Sequence, residues 1–296
     1  MQEARAETAA APAKEQGVPA IEIENLTKDF RIGIRGIKLR AVDSVSLAVR
    51  RGDVFGLLGP NGSGKSTTLK IILGLLRPTS GECRIFGKSS ADAAVRSRIG
   101  FLPEAPYFYG YLSGRELVKY YARLSGVPAA DVDARTEDAL AVTGMTHAAD
   151  RRVKTYSKGM LQRIGVAQAI VHDPDLVILD EPTAGIDPIG SADIGETVRA
   201  MKARGKTVVL CSHLLGQIEE LCDRVAILDR GKLVVAGTLS EVLTQRDKQL
   251  AVLGAGTLLT PELSAELRAR YGLNVESVSH PRISLERYFL ENLKKR

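Results

Sequence analysis

This sequence predicts an α/β fold built on a parallel sheet, and three features carry that expectation. VFGLL (54–58), LVILD (176–180) and TVVLCS (207–212) are short apolar runs bounded by polar or turn residues, the pattern of strands covered on both faces. The first run leads into GPNGSGKST (59–67), a glycine-rich loop. That loop opens KSTTLKIILGLL (65–76), which sets Leu69, Ile72, Leu73 and Leu76 on one face of a helix. The 296 residues, 44 % of them hydrophobic, are enough to bury a substantial core in one large domain or two modest ones.

The remaining elements follow in order. Residues 1–18 are Ala-rich and read as a disordered tail. IEIENL and KLRAVDSVSLAV read as strands, and a strand or hairpin is expected near ECRIFG (82–87). Residues 113–147 turn helical, with SGRELVKYYARLSG and then DVDARTEDALAVTG, the second closed by a glycine. RVAILDRGKLVVAG (224–237) predicts a hairpin around Asp229–Lys232. From about Lys248 the pattern restarts as strand, helix (PELSAELRARYG), strand (NVESVSH) and helix (SLERYFLENL), a small α+β appendage.

Composition excludes several classes. The first twenty residues lack an unbroken apolar stretch, which argues against a signal peptide. No apolar run reaches the ~18 residues of a membrane span. Cys83, Cys211 and Cys222 are scattered and fit neither a disulfide framework nor a zinc pattern, as in a reducing cytosol. The net charge of +6 is dispersed along the chain and reads as an ordinary solvated surface.

Chemistry concentrates at the glycine-rich loop. Its GxxxxGK[ST] spacing is that of a P-loop: backbone N–H groups and a helix N-terminus surround a polyphosphate. Lys65 is positioned to pair with the β/γ-phosphates and Ser66 to hold Mg²⁺. A second Mg²⁺ handle is expected at the tip of a neighbouring strand, and LVILDEP offers Asp180 there. Glu181 follows as the strand ends, so it points elsewhere and is the candidate general base that orients water, a role worth roughly 10²–10⁴ in rate.

YSKGMLQR (156–163), LVILDEP, TAGIDP (183–188) and CSH (211–213), all downstream of GPNGSGKST, resemble the ATP-binding subunit of ABC transporters over about residues 21–240. The resemblance implies a P-loop NTPase with a RecA-like core, an antiparallel β subdomain and a helical subdomain inserted at about 104–155. The cassette then runs over 19–240, followed by the α+β appendage at 241–296. It also implies that two such subunits sandwich two ATP–Mg²⁺. Each nucleotide lies between one chain's Gly59, Pro60, Asn61, Gly62, Ser63, Gly64, Lys65, Ser66 and Thr67 and the other chain's Ser157 and Gly159. His213 matches the family's switch histidine. Asp187 matches the loop that crosses the dimer interface, or is simply the Asp-Pro turn. Phe30 matches the adenine-stacking aromatic, or is a core Phe.

Two departures stand out. The family's signature is usually Leu-Ser-Gly-Gly-Gln, whereas this chain has Tyr156-Ser157-Lys158-Gly159-Met160, and Lys158 either helps hold phosphate or projects to solvent. Where the family has a Gln that senses Mg²⁺ and the attacking water, this chain has Glu104. A carboxylate accepts from metal-bound water but cannot donate as an amide does. Glu104 is therefore either a nucleotide sensor and metal contact or a surface carboxylate. Right after it, FLPEAPYFYGY (101–111) holds five of the chain's fourteen Phe and Tyr residues. These either dock a short helix of a membrane subunit or pack inside the helical subdomain with Tyr120 and Tyr121.

The Pro-Glu loop, the YSKGM signature and the ending ISLERYFLENL look like the type 2 ABC exporters. The implied function is a peripheral ATPase motor at the cytoplasmic face of the membrane, driving a separate transmembrane permease. A soluble ABC ATPase acting on nucleic acid or ribosomes is the alternative. The single uninterrupted cassette argues against it, so no nucleic acid partner is expected. A non-hydrolysing regulator is disfavoured by Glu181 and His213.

Overall fold

The computed structural model describes residues 17–33, 36–212, 214–244, 250–253, 261, 265, 269, 275–279 and 282–292. Most of the tail expected at 1–18 and most of the helix expected at PELSAELRARYG lie outside the described residues.

The chain opens with strands β1 (Ile21–Ile32), β2 (Ile37–Val49) and β3 (Val54–Leu58), then helix α1 (Lys65–Ile72). Strands β4 (Ser80–Ile85) and β5 (Lys88–Ser89), a short helix α2 (Ala93–Arg96) and β6 (Ile99–Leu102) follow. Helices α3 (Gly114–Leu124), α4 (Val132–Val142) and α5 (Lys158–Ile170) form the middle of the chain. Alternation resumes with β7 (Leu176–Asp180), α6 (Pro188–Ala203), β8 (Thr207–Cys211), α7 (Leu215–Leu221), β9 (Arg224–Asp229), β10 (Lys232–Thr238) and α8 (Leu239–Leu243). The last elements are β11 (Leu250–Leu253), β12 (Val275–Ser279) and α9 (Leu285–Asn292).

Two larger sheets result. One is antiparallel, in the order β2-β1-β4-β5. The other runs β10-β9-β3-β8-β7-β6, parallel throughout except for the β9–β10 hairpin. Every residue of β3 and β8 is buried, as continuous apolar runs in a sheet covered on both faces require. One core lies between the two sheets and takes in α1 through Leu69, Ile71 and Ile72. The second covers the other face of the parallel sheet, with Ile194 and Val198 of α6, Ile218 and Leu221 of α7, and Leu285 of α9. The appendage strands β11 and β12 pair antiparallel, and Ile283 N–H donates to the Leu243 carbonyl at 3.0 Å.

Helix α1 is shorter than its periodicity suggests. It ends at Ile72, and the N–H groups of Leu75 and Leu76 turn back to the Lys70 carbonyl at 2.8 and 3.1 Å. Leu76 therefore reaches the core from a turn, half-buried.

The third core belongs to α3, α4 and the outer face of α5. Ser113 and Glu116 form a reciprocal capping box that starts α3. Leu117, Val118 and Ala122 then meet Val132, Ala139 and Leu140 of α4 and Ile164 and Ala167 of α5. Tyr156 closes this core. Its hydroxyl donates to the Ala148 carbonyl at 2.7 Å and occupies the space where a side chain on Gly114 would stand. Among the described residues, no helix is long and apolar enough to cross a membrane.

Gly114→Ala is expected to displace Tyr156 and to destabilise the protein by about 1–3 kcal/mol, the usual cost of overpacking. Urea unfolding checks this; Gly114→Ala/Tyr156→Leu should recover most of the loss.

Candidate functional site

The parallel strands all deliver their next residues to one edge. The loop 59–64 follows β3, residues 103 and 104 follow β6, Asp180 closes β7, and Ser212 follows β8. Such an edge, outside the carboxyl ends of the strands, is where open α/β sheets bind ligands.

At the loop, Gly64 takes φ +103° and stands immediately before α1. A Cβ there would lie 2.6 Å from the Ala41 carbonyl oxygen, so both backbone angle and space require glycine. No side chain caps α1, and no acidic residue stands in its first turn. Its first N–H groups and partial positive charge are left for an anion. The loop is held from within and from behind: Ser63 N–H donates to the Pro60 carbonyl at 3.1 Å, and Gly231 N–H, in the β9–β10 turn, donates to the Ser63 carbonyl at 3.0 Å. Lys65 Nζ donates to the carbonyls of Gly59 at 2.6 Å and Pro60 at 3.1 Å, which keeps the ammonium at the loop. Pro60, Asn61, Gly62 and Ser66 are exposed, and Thr67 is half-buried.

Asp180 sits half-buried beside this loop, level with Cys211 of β8. Burial, together with the negative charges of Glu181 and Glu104, pushes its carboxyl up to about 6, against the opposing pull of Lys65. Glu181 adopts φ +49°, a left-handed backbone that side chains rarely take, and its N–H donates to the Cys211 carbonyl at 2.8 Å. The structure thus brings together the loop, Lys65, Asp180, Glu181 and Glu104. The donor set suits a hard divalent cation: an exposed hydroxyl at Ser66, a strand-end carboxylate and a second carboxylate, all oxygen. A cation there would also offset the repulsion that raises Asp180. His213 lies outside the described residues.

A second cluster forms on the side of α5 and α6. Ser157 caps α5 through its hydroxyl, which accepts from Met160 N–H at 3.3 Å. Asp187 caps α6, accepting from Gly190 N–H at 2.7 Å. Gly159 faces Ile186 and Gly190. Lys158 folds over the same segment, its Nζ 2.5 Å from where a Cβ on Gly185 would be. Among the described residues, no hydrogen bond or ion pair joins Ser157, Gly159 or Asp187 to the loop at 59–67. Ser157, Gly159 and Asp187 thus form a second group of candidate phosphate-facing residues at the starts of α5 and α6.

Phe30 is half-buried on β1 and belongs to none of the three cores; Lys28 Nζ stands 5.3 Å from its ring centroid. The aromatic loop divides. Phe108 packs into the helical core against Tyr121. Tyr107 is 90 % exposed and Tyr111 65 %, with Tyr109 and Tyr120 in a T-shaped pair next to them.

Sequence reading passed over Gln162. It is buried on the inner face of α5, and its Nε2 donates to the Glu104 carbonyl at 3.3 Å. Its only signal is a polar residue on a helix whose following turn is apolar, and that signal does not name the partner.

Comparison with known proteins agrees with this geometry. A profile described as ABC transporter matches residues 42–184. An uncharacterized ABC transporter ATP-binding protein of Nostoc is 42 % identical over 222 residues, 74 % of this chain and 66 % of that protein. The Nod factor export ATP-binding protein I of Ralstonia nicotianae is 36 % identical over 228 residues, 76 % of this chain and 69 % of that protein. The chain thus spans about two-thirds of the length of these curated relatives. Among solved structures, a dimeric ATP-binding cassette in a post-hydrolysis state with ADP and Pi bound superposes with a TM-score of 0.67. It is 25 % identical and is matched over 74 % of this chain and 98 % of its own.

Gly64→Ala should abolish high-affinity ATP binding. Calorimetric titration is expected to show at least about a tenfold weaker Kd, since a displaced loop loses several charge-assisted contacts. An unchanged Kd would refute the cradle.

Proposed function

The chain belongs to the ABC transporter ATP-binding family, and we propose that it is the ATP-hydrolysing motor subunit of an exporter, working as a nucleotide-sandwich dimer on a separate transmembrane permease. The observation that carries this reading is the convergence of the loop 59–64, Lys65, Asp180, Glu181 and Glu104 on one edge of the parallel sheet. The cassette comprises residues 19–240 and the appendage 241–296.

The loop's N–H groups and Lys65 bind the phosphates, Phe30 offers an aromatic face to the base, and Asp180 and Ser66 would hold Mg²⁺ with Glu104 close by. Held there, Mg²⁺ would supply positive charge that offsets the negative charge building during phosphoryl transfer. Glu181 orients water toward the γ-phosphate and takes its proton. Glu181 takes a left-handed backbone just where β7 ends, so the two adjacent acids leave the strand differently and can serve different tasks. His213, by its place in the motif, contacts the γ-phosphate.

Ser157 and Gly159 complete the site of a second copy. The similarity to a dimeric ATP-binding cassette with ADP and Pi bound supports a dimer. ATP then drives closure because only the closed dimer offers both clusters, which is the differential affinity that a motor needs. The exposed tyrosines at 107, 109, 111 and 120 form the surface that receives the permease, with large contact area and few rotors. In this reading the protein works at the cytoplasmic face of the membrane, held there by its partner. The export direction rests on the Pro-Glu loop, the YSKGM signature and the export-named relative.

Glu181→Gln should leave ATP affinity intact, lower turnover by roughly 10²–10⁴-fold, and trap an ATP-dependent dimer visible by light scattering. Undiminished hydrolysis would remove Glu181 as the base. Tyr107→Ala/Tyr109→Ala should release the permease from co-purified complexes while basal ATPase and thermal stability stay unchanged. Retention of the permease at wild-type yield would move the docking surface elsewhere.

A further inference from the structure

The segment after Glu181 is held by a side chain from a different element. Gln217 stands in the first turn of α7, its own N–H bonded to the Leu214 carbonyl at 3.1 Å. Its Oε1 accepts from the Thr183 hydroxyl at 2.8 Å. Its Nε2 donates to Ser191, to Oγ at 3.2 Å and to the carbonyl at 3.4 Å. One amide thus spans both ends of the segment between β7 and α6.

That segment is under strain where the chemistry sits. Glu181 holds φ +49°, and a backbone in a sparsely populated region persists only where its surroundings over-determine it. One restraint is Glu181 N–H to the Cys211 carbonyl. A second is the tight turn closed by Ala184 N–H on the Glu181 carbonyl at 3.1 Å. Thr183 lies inside that turn, 1 % exposed, and its hydroxyl leaves it toward Gln217. Ile186 N–H closes the next turn on the Thr183 carbonyl at 3.3 Å, so the position of Thr183 propagates toward Asp187.

The far end of the tether is anchored. Ile218 and Leu221 of α7 are buried in the core that also holds Leu285 and, at its margin, Tyr288 of α9. Glu219 accepts from the backbone N–H of Leu285. Helix α7 is therefore fixed on one face by the C-terminal helix and offers Gln217 on another.

We propose that Gln217 is a positioning residue for hydrolysis: its amide ties Thr183 and Ser191 to α7 and so holds the strained Glu181 turn in register with the nucleotide. The proposal rests on the ATPase reading above, with Glu181 as the base. The three hydrogen bonds fall into two sets. The bond to Thr183 fixes the turn, whereas the bonds to Ser191 fix where α6 begins.

Steady-state ATPase assays on the full chain test this with Gln217→Leu, Gln217→Glu and Thr183→Val. Gln217→Leu and Thr183→Val should each lower kcat by about 10–100-fold, the cost of misplacing a reacting group by a fraction of a bond length or more. KM for ATP and Tm should stay near wild type. The double variant should be no slower than Gln217→Leu, because that change already removes the bond lost in Thr183→Val. Gln217→Glu keeps an acceptor for Thr183 and should retain most of kcat. Hydrogen–deuterium exchange across residues 181–186 reads the bond to Thr183 without turnover: exchange should rise in Gln217→Leu and Thr183→Val alike, and not in Gln217→Glu, which keeps the acceptor.

Turnover of Gln217→Leu within about twofold of wild type, additive losses in the double variant, or a change confined to KM would each overturn the proposal. If wild-type protein hydrolyses nothing, the ATPase reading fails instead. Exchange then decides the tether alone: unchanged protection in Gln217→Leu overturns it.

Discussion

Negative charge crowded at one end of a parallel sheet is the constraint around which the rest is arranged. Asp180, Glu181 and Glu104 leave β7 and β6 at neighbouring positions, and their mutual repulsion is visible in the raised Asp180 carboxyl. Burial alone would push the same way, and it is the larger cause. What opposes it within the chain is chiefly Lys65, held at the loop by two carbonyls. An arrangement of this kind is least comfortable empty and gains most from a divalent cation. The sheet tolerates it because β3, β7 and β8 bury apolar residues behind the site.

Helix α5 links this edge to the helical layer. Ile164 and Ala167 sit in the helical core, while Val166 belongs to the core under the parallel sheet. The same helix begins with Ser157 and Gly159 and, one turn on, ties the Glu104 carbonyl through Gln162. The Glu104 loop and the segment of Ser157 and Gly159 are therefore joined through one helix with packing on both sides. The exposed tyrosines follow Glu104 directly, so a partner pressing on them acts on the same lever.

Much of this was legible because it depends on local rules. The buried strands were visible as unbroken apolar runs, and the cradle as glycines at fixed spacing between a strand and a helix. The hairpin at Asp229–Lys232 showed its turn residues, and Gly64, φ +103°, lies where the motif needs a glycine. What stayed hidden depends on contacts remote in sequence. Gln162 meets a carbonyl 58 residues away and Gln217 meets Thr183 34 residues away. Neither side chain differs in pattern from a solvated glutamine. The extent of α1 was misjudged for a related reason: periodicity continues through Leu76, but the chain turns after Ile72 and still buries the leucine from a new direction. Tyr156, an odd residue in the signature, becomes intelligible only beside Gly114 and Ala148, which no spacing rule connects to it.

The two departures from the family pattern carry opposite charge, and their placement gives that a physical sense. Glu104 puts a carboxylate where the family has a neutral amide, next to Asp180, adding to a crowd that already repels. Lys158 puts an ammonium beside Ser157 and Gly159; the side chain is exposed, and its ammonium end lies against Gly185, on the segment between Glu181 and Asp187. In the proposed sandwich the signature of one copy closes on the nucleotide held by the other, so each complete site receives one added negative charge and one added positive charge. Each closed site then keeps the net charge of the usual pattern, while the site on an isolated subunit holds Glu104 without a partner's Lys158. Charge exchanged in this way favours closure over opening through electrostatics between copies, on top of what the triphosphate contributes, because the compensating group arrives only with the partner.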